Sequence, residues 1–402
     1  MVRERIVITG IGAVTPVGNN VPETWRAVVA GESGVQPITR FQPDGFPVTF
    51  AAEVASVQGR DEASIREELL DIALAEALEM SGELPYSPDR IGVCVGAEAA
   101  RPALELLARE YRRGSTGELS EFVRNAADAP ARSVANRVGA KGPCTTVSTA
   151  CTSSSQAVGE GLLRMRRGEV DAMIVGGVDA LVGPLMVTGF SLLGALSTRN
   201  DDPSMASRPF DIDRDGFVLG EGAGFLILER EEAAIARGAE ILAELSGYGC
   251  SCNAWRITDS PPDGRGAAQA IRAAIEDAGL EPSDIDYINA HGTSTPMNDP
   301  SESRAINQVF GEHRPYVSST KSSMGHLVAA CGAVEAVVCV EVVRHGVMPP
   351  TINLQSVDPD CDLNHVQNTA KSFKCEHTLT NAFGFGGSNG SLIISRWSAR
   401  AD

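Results

Sequence analysis

The sequence predicts an α/β protein. Strand-like apolar runs alternate with Ala- and Leu-rich amphipathic stretches along all 402 residues, and no low-complexity tract or linker interrupts them. An apolar content of 43% is enough to build a large core. We expect strands at 5–10, 91–95, 172–176, 225–228 and 391–394, and helices at 64–81, 153–167, 268–278 and 326–344.

A faint internal duplication accompanies this alternation. Residues 147–151 open a small-residue helix in the first part of the chain, and residues 318–321 open a similar one in the second. We therefore expect two similar halves, 1–238 and 239–402, each placing a functional residue at a strand-to-helix turn.

The charge balance disfavours two classes of partner. Thirty-four basic residues against 52 acidic ones give a net charge of −18. Nucleic acids and anionic membrane surfaces need a basic footprint, so neither is expected as a partner. No stretch approaches the roughly 20 apolar residues of a membrane span. The N-terminus also lacks a signal-peptide h-region, so we expect a cytoplasmic location.

Nine cysteines in such a chain predict free thiols and no disulfide framework. The close pair Cys250 and Cys252 lacks the second pair or the histidines of a zinc site, so no metal is expected. Cys151 stands apart because it directly precedes a helical run. A thiol at a helix N-terminus faces unpaired N–H groups and the positive end of the helix dipole, which favour thiolate. The same segment fits a buried structural cysteine equally well.

Two of the six histidines lie in unusual segments. His291 follows a strand-like run and begins His-Gly-Thr-Ser-Thr-Pro, and His326 ends Lys-Ser-Ser-Met-Gly-His before an Ala-rich stretch. A histidine beside glycine at the end of an element lies in a cleft more often than in a core. Cys151, His291 and His326 are therefore candidate catalytic residues.

These segments, in their order and spacing, closely resemble the β-ketoacyl-acyl-carrier-protein synthases over nearly the whole chain. The resemblance implies a thiolase-like fold, with the two halves forming a layered α-β-α-β-α structure. It further implies a Cys-His-His triad, with the nucleophile in the first half and both histidines in the second. The matching segments are 5–12, 148–151, 195–200, 208–211, 214–217, 220–224, 290–296, 321–326 and 381–390.

The same resemblance implies the chemistry of each residue. Cys151 would take an acyl chain from a carrier-protein thioester, and a malonyl thioester would lose CO₂ and attack that acyl-enzyme. His291 and His326 would donate hydrogen bonds to the enolate oxygen. Lys321 matches the active-site lysine of the family, and Glu302 matches the carboxylate that pairs with it. A buried lysine needs such a partner to remain charged.

The glycine-rich segment 381–390 does not have dinucleotide-binding spacing, and an apolar strand follows it where a helix would be needed. By resemblance, Phe385 is instead a gate whose N–H joins that of Cys151 in an oxyanion hole, and Phe383 supports it. Thr258, Thr293 and Thr295 match positions that bind the phosphopantetheine arm. That arm belongs to the acyl carrier protein, so no cofactor of the enzyme itself is expected.

The sequence departs from the family at three carrier-docking positions. Acidic Glu67 and Glu68 replace a basic pair, 115–116 is Ser-Thr, and Gly194 replaces a frequent Arg. Because carrier proteins are acidic, these losses should slow the association that charge steers. They favour the catalytic ketosynthase of a type II polyketide system, paired with a chain-length-factor-like subunit. The alternative is a homodimeric synthase of fatty-acid elongation.

Three other classes of enzyme or subunit fit less well. A degradative thiolase resembles a design with a second cysteine in the C-terminal glycine loop, which has none here. A silent partner subunit typically has its nucleophile replaced, whereas Cys151 is present. A starter-type synthase would carry Asn in place of one of the two histidines.

Overall fold

The predicted alternation of strands and helices is the observed architecture. The computed structural model describes residues 4–59, 61–100, 112 and 125–399. The strands are β1 Ile6–Val14, β2 Gln36–Pro37, β3 Phe50–Ala51, β4 Ile91–Gly96, β5 Cys144–Val147, β6 Ala172–Asp179, β7 Gly222–Arg230, β8 Ala243–Cys252, β9 Tyr287–Asn289, β10 Tyr316–Ser318, β11 Val347–Met348, β12 Asn364–His365, β13 Lys371–Ser372, β14 His377–Phe383 and β15 Ser388–Ser395. The helices are α1 Val21–Ala30, α2 Glu62–Ser81, α3 Ala129–Val138, α4 Ser153–Arg166, α5 Pro184–Leu192, α6 Glu231–Ala236, α7 Arg265–Ala278, α8 Asn298–Phe310, α9 Lys321–Met324 and α10 Cys331–His345.

The strand order repeats and confirms the duplication. In the first half β1 and β7 are antiparallel, β7 and β6 antiparallel, and β6, β4 and β5 parallel. In the second half β8, β15, β14, β9 and β10 follow the same scheme. A short β1–β8 pairing joins the two sets through Val7 with Glu244 and Ile8 with Ala243. The division at 238/239 itself remains a prediction.

Five layers follow from which face each strand residue occupies. In β7, Leu226 and Leu228 pack with α4 and α10, whereas Phe225 and Ile227 pack on the opposite face against α2. In β15, Ile393 faces the α7 and α8 layer. This period of two is the geometry of a strand buried on both faces. The predicted α-β-α-β-α layering is therefore confirmed.

Helices α4 and α10 form the middle layer and contact strands of both halves. Every residue from Cys331 to Val343 of α10 is buried, as expected for a helix enclosed by sheets. The two helices cross closely because residue 332 is glycine. A Cβ added there would lie 2.0 Å from the Ser155 Oγ. This crossing fixes the N-terminus of α4, immediately after Cys151.

The helix predicted at 326–344 begins later than expected. His326 donates its backbone N–H to the Val218 carbonyl oxygen at 2.7 Å and accepts from the Gly220 N–H at 2.9 Å. The carbonyl of His326 is thus occupied, and Val328 adopts φ +44°, outside the right-handed helical region, so regular α-helix starts only at Cys331. All five predicted strands are confirmed. Within the described ranges, no helix is both long and apolar enough to span a membrane.

Candidate active site

Three elements bring the predicted triad into one pocket. Cys151 follows β5, His291 follows β9, and His326 follows the single turn α9. The His326 Nε2 lies 3.0 Å from the Cys151 Sγ. One nitrogen of His291, one of His326 and the Cys151 sulfur all lie within 4.8 Å of one another. The structure thus brings together residues that are widely separated in the sequence.

A tight turn presents the Cys151 side chain to this pocket. Ala150 adopts φ +52°, a conformation that non-glycine residues rarely take and that concentrates at functional sites. The Ser153 hydroxyl holds the turn because it accepts from the Thr149 N–H at 2.9 Å and donates to the Ala150 carbonyl at 2.6 Å. The Glu98 carboxylate accepts from the Ala150 N–H at 3.1 Å.

The sequence predicted that Cys151 would be stabilised as a thiolate, but its surroundings in the structure favour the protonated thiol. Burial raises the pKa of Cys151 to about 12, against the opposing effects of the Lys321 ammonium and of hydrogen bonds from the Phe385 and Cys151 backbone N–H groups. The resting nucleophile is therefore a protonated thiol, and it must lose its proton during attack. The His326 Nε2 is within reach as the acceptor.

Both imidazoles are neutral at physiological pH. Burial and then the Lys321 ammonium hold the pKa of His326 well below its usual value, and for His291 the neighbouring His326 adds to these causes. The two rings meet edge to face with centroids 5.4 Å apart. The Nδ1 of each ring is buried without a hydrogen-bond partner among the described residues. No bond there fixes the tautomer, so each Nε2 can either accept or donate.

The predicted pairing of Lys321 with Glu302 is wrong. The Lys321 Nζ, on a side chain 2% exposed, contacts the Glu335 carboxylate of α10 directly. Burial works against the charge on Lys321, but the surrounding anionic groups, Glu335 first among them, together raise the pKa of the lysine above its usual value. Lys321 therefore stays a cation beside the two imidazoles. The clue in the sequence was the pair of acidic residues, Glu335 and Glu341, inside a mostly apolar helix.

Glu302 instead positions the segment that carries His291. Its carboxylate accepts the backbone N–H groups of His291 and Gly292, both at 2.8 Å, and the Asn381 side-chain amide at 3.1 Å. Burial raises the pKa of Glu302 to about 6, and the hydrogen bonds from Gly292 and His291 limit the rise. Nearby, Asp299 accepts from the Ser294 N–H at 3.2 Å. Two carboxylates thus anchor the His-Gly-Thr-Ser-Thr loop.

The remaining predicted residues line the same pocket. Phe383 meets the His291 ring edge to face at 5.6 Å, and the half-buried Phe385 lies 6.5 Å from Phe190 between ring centroids. After Phe385, Gly386 and Gly387 adopt φ +87° and +84°, which only glycine takes readily. Thr258, Thr293 and Thr295 also line the pocket. Their roles in gating and in binding the pantetheine arm remain predictions.

At the two predicted carrier-docking positions that the structure describes, no exposed basic side chain is present. Arg66, the one basic residue in α2, is 3% exposed and donates to the Glu98 carbonyl oxygen at 2.6 Å. Glu67 is paired with Arg137 at 2.7 Å. Gly194 follows α5 at φ +63° in open space. The third position, 115–116, lies outside the described residues.

The triad also has the donor set of a metal site. Among the described residues, Cys151, His291 and His326 are the one group of this kind whose ligand atoms lie this close together. A buried cysteine and two neutral histidines suit zinc in chemistry. The same atoms equally suit acyl transfer. Comparison with known proteins distinguishes a zinc site from an acyl-transfer site.

Two family profiles match the chain. "Beta-ketoacyl synthase, N-terminal domain" covers residues 3–234, and "Beta-ketoacyl synthase, C-terminal domain" covers residues 242–355. Curated relatives named 3-oxoacyl-[acyl-carrier-protein] synthase 2 are 41% identical in a Synechocystis strain and 42% identical in Coxiella burnetii. Each alignment covers 98% of this chain and 99% of the relative.

Solved structures agree. A ketosynthase from the AntDE:AntF complex, in which a type II polyketide acyl-carrier protein is bound to its ketosynthase, superposes with a TM-score of 0.92 at 34% identity. The ishigamide ketosynthase/chain length factor gives 0.90 at 36%, and both matches cover 98% of this chain and 100% of the other. With the paired Cys151 and His326 at the centre of that fold, the chain belongs to the β-ketoacyl synthase family.

Proposed function

We propose that the protein catalyses the decarboxylative condensation of a malonyl-acyl-carrier-protein with an acyl chain held on Cys151. The observation that carries this proposal is the 3.0 Å contact between the His326 Nε2 and the Cys151 Sγ, with neutral His291 facing the same point. A nucleophile, a base and a second hydrogen-bond donor are what a two-step acyl transfer requires.

In the first step the Cys151 sulfur attacks the thioester of an acyl carrier protein. The thiol proton passes to His326 and then to the departing carrier thiol, which leaves an acyl-enzyme. The N–H groups of Cys151 and Phe385, which already act on the sulfur, stabilise the oxyanion of the tetrahedral intermediate.

In the second step a malonyl thioester enters and its C–C bond to the carboxylate breaks, releasing CO₂. Both imidazoles donate from Nε2 to the resulting enolate oxygen, and the neighbouring Lys321 ammonium favours the developing negative charge. The enolate carbon attacks the acyl-enzyme. Cys151 departs as a thiolate and recovers one proton from solvent, so the β-ketoacyl product leaves on the carrier.

No cofactor of the enzyme's own enters this scheme. The pantetheine arm arrives on the carrier and passes Thr258, Thr293 and Thr295, whose side chains line the route to Cys151. We place the reaction in the cytoplasm, where the malonyl and acyl carriers of such systems are made.

For the pathway, we favour the catalytic ketosynthase of a type II polyketide system, working with a chain-length-factor-like subunit. The absence of exposed basic residues on the described α2 supports this choice, because a second subunit can then add basic surface for the carrier. Similarity to a polyketide ketosynthase and to a ketosynthase/chain length factor supports it further.

Homodimeric fatty-acid elongation is the alternative. It is favoured by the higher identity, 41–42%, to relatives named 3-oxoacyl-[acyl-carrier-protein] synthase 2.

Substitution of the nucleophile tests the reaction. In Cys151→Ala, we expect acyl transfer to be abolished while malonyl decarboxylation continues, because the donors for the enolate remain. Intact-protein mass spectrometry measures the acyl-enzyme, and CO₂ release measures decarboxylation. Cys250→Ala, which removes an exposed thiol of β8, serves as the matched control. An acyl-enzyme that still forms in Cys151→Ala would remove the basis of the proposal.

A further inference from the structure

The mouth of the active-site pocket carries an exposed aromatic loop. We call residues 253–264, which join β8 to α7, the Trp255 loop. Thr258 and the two residues after it line the pocket, while Trp255 and Ile257 are 50% and 79% exposed. The Gly386 N–H donates to the Ile257 carbonyl oxygen at 2.6 Å. The outer face of this loop is thus continuous with the passage that leads to Cys151.

Two arginines flank the exposed indole. The guanidinium carbons of Arg256 and Arg265 lie 6.0 and 5.4 Å from the Trp255 ring centroid, within cation–π range. Their carboxylate partners, Asp259 and Asp263, are each 3.4 Å away, and the arginine side chains are 69% and 57% exposed. Exposed ion pairs of this kind contribute little stability. Both guanidinium groups are therefore available to a stronger anionic partner.

A phosphodiester is such a partner, because a planar guanidinium binds phosphate through two parallel hydrogen bonds. Aromatic and arginine side chains together are also the residue types that dominate protein interfaces. The exposed α2 surface offers no competing basic site, since Arg66 is buried and Glu67 is already paired with Arg137.

We propose that the Trp255 loop is the docking platform for the acidic carrier protein that delivers the acyl chain, an inference that rests on the proposed function. Arg256 and Arg265 contact the phosphodiester of the pantetheine arm and acidic side chains of the carrier. Trp255 and Ile257 pack against its apolar surface. The pocket at Thr258 then receives the arm directly from this platform.

The test compares two acyl donors in loading Cys151. One is a hexanoyl acyl carrier protein, and the other is hexanoyl-N-acetylcysteamine, which has neither phosphate nor protein. In a variant combining Arg256→Gln with Arg265→Gln, we expect kcat/KM for the carrier donor to fall about tenfold and its salt dependence to weaken. The rate with N-acetylcysteamine should not change. Trp255→Ala should behave similarly, whereas Trp255→Phe should retain most of the carrier rate.

Arg26→Gln is the matched control, because Arg26 is 66% exposed in a comparable ion pair with Glu32, on α1. Carrier loading at the wild-type rate in the double variant would overturn the docking proposal alone. Equal losses with both donors would also overturn it, since the arginines would then act inside the pocket. A changed oligomeric state would assign the loop to a second copy of the chain. A wild-type protein that loads from neither donor would overturn the proposed function as well.

Discussion

Lys321 controls the two imidazoles through its charge. It sits in a buried ion pair with Glu335, and its ammonium lowers the pKa of both His291 and His326 beyond what burial alone does. Both rings therefore remain neutral donors in the presence of an enolate. A protonated imidazole could not accept the thiol proton, so the cation also preserves His326 as a base.

Substitutions in the Lys321–Glu335 pair should therefore change the stability of the protein and the pH dependence of decarboxylation independently. Lys321→Met leaves a buried carboxyl without its cation, and we expect the free energy of unfolding to fall by about 3–5 kcal/mol. Adding Glu335→Gln removes that charge and should restore most of the stability. In both variants the pKa of each histidine rises, so the acid limb of the decarboxylation profile moves to higher pH.

Urea unfolding and pH–rate profiles measure these two effects separately. A double variant that recovers stability but keeps the wild-type acid limb would contradict the assigned role of Lys321.

Glu302 is a positioning residue whose effect passes through His291. In Glu302→Gln the side-chain amide faces one of the two backbone N–H donors, so one hydrogen bond becomes a repulsive contact. We expect decarboxylation to fall roughly ten- to a hundredfold because His291 is displaced. Acyl loading should change little, since His326 makes the contact with the thiol. Glu341→Gln, at a buried carboxylate of α10 paired with Arg344, provides the control. Equal loss in both half-reactions would refute this role.

At the scale of elements, the crossing of α4 and α10 sets the position of the nucleophile. Gly332→Ala should gain about 1 kcal/mol in helix propensity. The new Cβ would nevertheless lie 2.0 Å from the Ser155 Oγ and 2.9 Å from its backbone nitrogen. Overpacking of this kind typically costs about 1–3 kcal/mol, so we expect net destabilisation and slower acyl loading.

A double-mutant cycle with Ser155→Gly isolates the contact. Ser155→Gly removes the hydroxyl and its Cβ, so the combined variant should recover part of the lost stability in urea unfolding. Strictly additive losses of stability would show that the methyl group introduced by Gly332→Ala does not clash with Ser155.

The element scale also explains what sequence could predict. Cys151, His291 and His326 each lie in a locally distinct segment at the end of a strand or turn. Those segments made them candidates, and the resemblance to the β-ketoacyl synthases assigned the triad. Glu335 was missed because its pairing with Lys321 depends on which way a fully buried helix faces. The late start of α10 also depends on a contact between elements, since the His326 backbone is hydrogen-bonded to the Val218–Gly220 segment. Such contacts between elements are not encoded in local spacing.

At the scale of the whole molecule, the two similar halves each contribute residues to the active site. The nucleophile comes from the turn after β5, and Lys321 comes from the equivalent turn after β10. Because α4 and α10 pack against each other between the two halves, neither half can complete the site without the other. The chain has a net charge of −18, and its surface must still meet an acidic carrier.

Because this chain and its carrier are both acidic, we predict that the chain works as part of a heterodimer. We expect the chain to form a heterodimer when it is co-expressed with a ketosynthase-like partner that lacks the nucleophilic cysteine, and to condense malonyl units much faster than alone. The physical reason is that the Trp255 loop offers only two exposed arginines to the carrier, so further basic surface on a partner would strengthen the steering between two acidic proteins. Light scattering gives the subunit composition, and product mass gives the chain length. A homodimer that is fully active with a fatty-acid carrier protein would instead assign the protein to fatty-acid elongation.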